Sequence, residues 1–90
     1  MSLAEIKRRL VVGSKVELVH HSWYPNLKPT MLGVRSIKTA QTNAVQFSNG
    51  SWLWWPKADH VRDTDNGFEV SLYEGSGPVT WGEVMRYEWR

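Results

Sequence analysis

Asn49-Gly50-Ser51-Trp52-Leu53-Trp54-Trp55-Pro56 places three of the chain's six tryptophans within four residues. Val45 and Phe47 precede it, so an Asn-Gly pair lies between two apolar runs. That arrangement is a strong hairpin signal, because both residues tolerate the positive φ of a type I′ turn. Two paired antiparallel strands are expected, over residues 42–48 and 51–55. Side chains alternate across a strand, so Trp52 and Trp54 share one face, Leu53 and Trp55 the other. Both faces are apolar. Such a strand is either covered on both sides or shows indole on one. Burying all three rings would serve a small core. Leaving one face open, at Trp52 or Trp54, would make a platform for a ligand. Pro56 ends the pairing, having no N–H for a ladder.

Ninety residues make one domain, 1–90, which buries only about 60–65% of its unfolded surface. There is no cysteine, which removes disulfides and thiolate zinc sites. No run approaches the ~20 apolar residues of a membrane span. Glu5, Lys7, Arg8 and Arg9 interrupt any leader-like apolar stretch. A cytoplasmic protein without membrane association is expected. The net charge is +2, unevenly spread. Residues 1–38 carry seven basic side chains against two acidic ones, the rest four against seven. A basic first half permits a nucleic-acid or acidic partner.

Ser2 and Glu5 form a capping box for a short helix over about 3–11, with Leu3, Ile6 and Leu10 on one face. Lys7-Arg8-Arg9 is either a solvated helix face or a phosphate-contacting patch. Residues 14–21 alternate as a strand that puts Val16, Leu18 and His20 on one face, so His20 is read as packed and hydrogen-bonded. Residues 22–30 form a loop broken by Pro25 and Pro29, and its Trp23 and Tyr24 are either a lid over the core or a contact surface. A strand over 31–39 contains Gly33 and breaks strict alternation between Val34 and Ile37, which suggests a bulge around Arg35-Ser36. One helical turn near 56–59, a short strand at 60–62, a turn at Asp65-Asn66-Gly67 and a strand over 68–73 follow. Glu74-Gly75-Ser76-Gly77-Pro78 reads as a flexible loop. Residues 79–90 fit a helix face or a strand; the alternation of Met85, Tyr87 and Trp89 decides for strand, broken at Gly82. The sum is a mainly β chain: a small barrel of five to seven short antiparallel strands over about 14–90, with a short N-terminal α-helix.

Asp63-Thr64-Asp65-Asn66-Gly67 superficially suggests a calcium loop, but Phe68 stands where the obligatory glycine belongs and a strand follows. There is no P-loop, dinucleotide fingerprint, zinc-protease helix or nucleophile elbow. No enzyme, no cofactor and no metal site are expected.

Val12-Gly13-Ser14-Lys15-Val16-Glu17-Leu18 resembles the opening of SH3-like small barrels, and the order of strands, long loop, tight turn and 3₁₀ turn is similar to that family of folds. Gln41-Thr42-Asn43-Ala44 with Ser51-Trp52-Leu53-Trp54-Trp55-Pro56-Lys57-Ala58 resembles small bacterial and phage-borne proteins with a QTNA…SWLxWPKA pattern. The second likeness covers about the middle third and implies no activity. The N-terminal helix and the strand after Pro78 depart from a minimal SH3-like barrel. The first resemblance implies binding: of proline-rich peptides, modified lysines or nucleic acid.

The expected function is a non-enzymatic binding module associated with nucleic acid. Lys7, Arg8, Arg9, Lys15, Lys28, Arg35, Lys38 and Lys57 would meet phosphates, and Trp23, Tyr24 and Trp52 or Trp54 would stack on bases. The alternative is a protein or peptide partner in an aromatic groove, or self-association as a homo-oligomer through the apolar surplus.

Overall fold

The structure, a computed structural model, describes residues 2–74 and 81–90. Among them are one α-helix, α1 (Leu3–Arg9), and seven strands: β1 (Lys15–His21), β2 (Val34–Ala40), β3 (Ala44–Phe47), β4 (Trp52–Trp54), β5 (Val61–Thr64), β6 (Gly67–Glu74) and β7 (Trp81–Trp89). The protein is thus predominantly β. All pairings are antiparallel, in one sheet ordered β4-β3-β2-β1-β7-β6-β5. Hydrogen bonding does not close this sheet into a ring: β4 and β5 are open edges. It is nevertheless curled around one core. Val45, Phe47 and Leu53 from one end belong to the same buried cluster as Val61, Phe68 and Val70 from the other. Trp55, just beyond β4, packs on Phe68 of β6 with ring centroids 6.2 Å apart.

The helix forms because its first turn is capped on both sides. The Ser2 hydroxyl accepts from the Glu5 amide, and the Glu5 carboxylate accepts from the Ser2 amide. Seven residues cannot hold a helix alone; Ile6 and Leu10 dock into the core at 0% and 1% exposure. The helix ends at Arg9 rather than Val11. Val11 and Val12 are exposed, and Gly13 turns the chain at φ 93°, donating its amide to Ile37 O.

Further expectations change. The strand expected from Met31 starts only at Val34, after a 3₁₀ turn at Pro29–Met31. The hairpin at Asn49-Gly50 is not a type I′ turn: only Gly50 has positive φ. The Gly50 amide donates to Phe47 O and the Phe47 amide to Ser51 O, a three-residue loop with the glycine as its bulge. The bulge expected at Arg35-Ser36 lies instead between Ile37 and Thr39. From Val34 to Ile37 the alternation is strict but chemically inverted: Arg35 and Ile37 point inward and Val34 is 52% exposed. Strand β7 is not broken at Gly82, which pairs with Tyr73 in a continuous ladder. The most consequential change is in β1. A register shift between Leu18 and His20 makes Val19 an extra residue, and a bulge re-aims every later side chain. His21, not His20, turns inward: His21 is 3% exposed and His20 lies at the surface. The loop expected at 74–78 falls mainly outside the described residues.

Candidate functional site

The inward turn of His21 helps to build a cavity of about 370 Å³ among β1, β2, the β3–β4 loop and β7. His21 Nδ1 accepts the amide of Trp23 at 3.1 Å. The ring proton therefore sits on Nε2, which donates to Glu83 Oε1 at 2.7 Å. That bond and the contacts of the imidazole with Trp23 and Tyr24 (centroids 5.8 and 5.0 Å) fix the ring's orientation. Glu83 Oε2 has no hydrogen-bond partner among the described residues.

Arg35 stands in the same cavity. It is 7% exposed, its Nη2 donates to Met31 O at 2.9 Å, and its guanidinium lies 5.6 Å from the Phe47 ring centroid. Among the described residues no carboxylate comes within salt-bridge distance of it. A buried guanidinium with one neutral hydrogen bond is a costly placement. Tyr87 lines the cavity too, and its hydroxyl points to Met85 Sδ at 3.7 Å. Burial pushes this phenol up to about 12, Arg35 pulls it down, and Glu83 pushes it up. Both charges are thus felt at one hydroxyl without pairing with each other.

The rim carries the tryptophans. Trp52 and Trp54 are 40% and 60% exposed, with centroids 6.0 Å apart and planes 26° from parallel. Leu53 between them is buried. The open side of this strand, then, is indole on both exposed positions, and Trp52 borders the cavity. Because the Phe47 amide bonds Ser51 O and the Trp55 amide bonds Asn43 O, the alternation of an antiparallel ladder aims the backbone groups of Trp52 and Trp54 at the open edge.

The residues singled out from sequence divide into three groups. Trp23, Tyr24, Lys28, Arg35, Trp52 and Trp54 gather in or around the His21 cavity; Lys28 Nζ lies 4.3 Å from the Tyr24 ring centroid. Lys7, Arg8, Arg9 and Lys15 belong to the helix and the start of β1. There Arg9 covers Trp89 at 4.1 Å, Arg8 bonds Ala4 O, and Arg9 and Lys15 line a small hollow with Arg90. Lys38 and Lys57 are exposed, on β2 and before the 3₁₀ turn Ala58–His60. Arg35 is the correction within the set: it is buried in the cavity rather than offered at the surface. The two basic groups stand at the two ends of one aromatic chain, Arg35–Phe47–Tyr87–Phe68–Trp89–Arg9. His21, Glu83 and Tyr87 were not among the residues expected to bind a partner. Only the bulge at Val19 marks His21, and nothing in the primary pattern announces it.

No protein-family model matches this chain, and neither a curated protein nor a solved structure matches it. No helix among the described residues is long and apolar enough to cross a membrane.

Proposed function

We propose that the protein is a small non-enzymatic binding module whose ligand is single-stranded nucleic acid, held on the Trp52–Trp54 pair. The observation that carries this reading is the pair itself: two neighbouring indoles in near-parallel planes, both open to solvent, on an edge strand. Leaving two such rings in water forfeits burial energy that a ninety-residue chain can hardly spare. Bases stack on aromatic rings whatever their identity, at about 1–3 kcal/mol each. Arg35 lines the cavity that Trp52 borders, and Lys28 stands over Tyr24, whose ring packs on His21 of that cavity; cations there favour a polyanion.

The test is indole fluorescence titrated with an all-thymidine oligonucleotide and with a duplex, at low and near-physiological salt. Saturable quenching by the single strand, weakened sharply by salt, is expected. Trp54→Ala should reduce the affinity by about 1–3 kcal/mol. Absence of quenching by either nucleic acid would remove this reading. A second reading has its own observation: the backbone groups of Trp52 and Trp54 face an open edge, where an extended peptide could add as a strand. Peptide binding indifferent to salt would favour it.

A further inference from the structure

Arg35 and Glu83 face one cavity with opposite charges and do not pair. Among the described residues each also has unused hydrogen-bonding capacity: the guanidinium gives one of its five N–H groups to Met31 O, and the carboxylate commits one oxygen to His21. The separation is built in. Arg35 is placed by β2 and the Met31 carbonyl, while Glu83 is drawn to His21 by a 2.7 Å bond. What fits between is a group with acceptors on one side, donors on another and a flat apolar body. The cavity walls suit such a body, because Phe47, Met31 and Trp52 line it.

We propose that this cavity is a base-reading pocket for guanine, resting on the single-strand reading above and sharpening it. Arg35 would donate its fork to guanine O6 and N7, the commonest specific contact of arginine with a base. Glu83 Oε2 would accept from the N1–H and exocyclic N2–H₂ on the opposite side. Guanine is the base whose acceptor pair and donor pair lie on separate edges. Cytosine and adenine offer a donor beside their acceptors, which would call for the two charges side by side, and thymine sets its N–H between two carbonyls. The His21–Glu83 bond acts on the base indirectly: it holds the carboxylate away from Arg35 and so keeps the slot open.

The experiment uses the unaltered full chain and thymidine oligonucleotides of about ten nucleotides, with one central position replaced by guanine, 7-deazaguanine, hypoxanthine, adenine or cytosine. The guanine oligonucleotide should bind about five- to a hundredfold tighter than all-thymidine. 7-Deazaguanine, which lacks N7, and hypoxanthine, which lacks the exocyclic amine, should each lose much of that preference. Arg35→Gln should abolish the difference between guanine and thymidine, with its fold checked by near-ultraviolet circular dichroism. The analogue series needs no variant, so a folding failure of Arg35→Gln does not blunt it. Equal affinity for all the oligonucleotides would overturn the guanine pocket while leaving the stacking platform standing. A preference for guanine that both analogues retain would overturn it too. No binding by any of them would overturn both.

Discussion

The hairpins β3–β4 and β5–β6 form the two edges of the sheet, and each has an Asn-Gly pair at or beside its turn. In β3–β4, Gly50 adopts φ 91° and nothing lies within 4 Å of where a Cβ would be. The glycine is there for backbone conformation. In β5–β6, Gly67 has no such φ; it already belongs to the strand, paired with Thr64 and with Glu88. A Cβ on it would run into the backbone of Tyr87 and Glu88. That glycine is there for space. The edges differ in charge as well. Residues 44–54 contain no ionisable side chain. On the other edge Glu69 receives Arg62 at 2.7 Å and Arg86 at 3.0 Å. One edge has its polar chemistry answered internally, and the other leaves indole and backbone open. Charges on an edge deter unwanted strand pairing, so the unguarded edge is the one that invites a partner.

The sharpest way to break this comparison is at the glycines. Gly67→Ala should destabilise by more than about 3 kcal/mol or prevent folding, because a methyl must displace the backbone of the neighbouring strand. Gly50→Ala should cost about 1–2 kcal/mol, the penalty of a left-handed residue with room for its side chain. Urea denaturation of both variants measures the two numbers. Equal losses would mean that the two turns obey one constraint after all.

The glycine pair also shows what was legible. Both hairpins, the capped helix and the strand assignment of the last segment follow from local chemistry: turn residues, a capping box, alternation. They could be read because each depends on residues within a few positions of one another. The cavity could not. His21 faces inward because of a one-residue bulge at Val19, and a strand's pattern does not reveal where an extra residue is tolerated. Arg35 occupies an inward position of β2 while Val34 faces water, the reverse of what apolar patterning suggests. Glu83 reaches His21 across 62 residues of sequence. Of the site, the aromatic rim was readable, whereas the charged interior depends on long-range pairing between β1 and β7.

A pH profile sharpens the contrast between the edges on a smaller scale. Tyr87 stacks on Phe47 of β3 and Phe68 of β6, and so ties the two hairpins together. Its phenol is raised from 10.0 to about 12, chiefly by burial. The folded state therefore keeps its proton where the unfolded chain has lost it. Its contribution is intact below pH 10 and disappears as the pH rises towards 12, a loss of roughly 2–3 kcal/mol. In acid, of the two edges only β5–β6 contributes, beside Glu5 of the helix cap, which the Ser2 hydrogen bonds also hold low. Hydrogen bonding from Arg62, with that of Arg86, outweighs burial and holds Glu69 below the ordinary carboxylate value. Its contribution is present above that ordinary value and is lost as the pH falls through the lowered one. Thermal unfolding of the wild type against Glu69→Gln and Tyr87→Phe, from acid to alkaline pH, should show the acid slope reduced in the first and the alkaline slope reduced in the second. An unchanged acid slope in Glu69→Gln would detach the effect from the β5–β6 edge.

The smallest expected effect lies at the end of the unguarded edge, where Trp54 and Trp55 are adjacent but face opposite ways. Trp55 is half-buried against Phe68, yet its Nε1 is buried without a hydrogen-bond partner among the described residues. An unpaired buried N–H costs about 1–3 kcal/mol. Trp55→Phe keeps an aromatic ring against Phe68 and deletes that N–H, so lost area and relieved desolvation should nearly cancel, leaving stability within about 1 kcal/mol of wild type. A loss of about 3 kcal/mol in urea denaturation would show instead that the indole N–H is satisfied, by an ordered water for instance. Trp54→Ala removes a larger group from the adjacent position and should change stability by no more than about 0.5 kcal/mol, because the ring is mostly in water already. Near-neutrality would have different causes in the two variants: cancellation at Trp55 and exposure at Trp54. Only the second leaves an aromatic face free for a ligand, so Trp54→Ala should affect oligonucleotide binding far more than folding, and Trp55→Phe should leave that binding as it is.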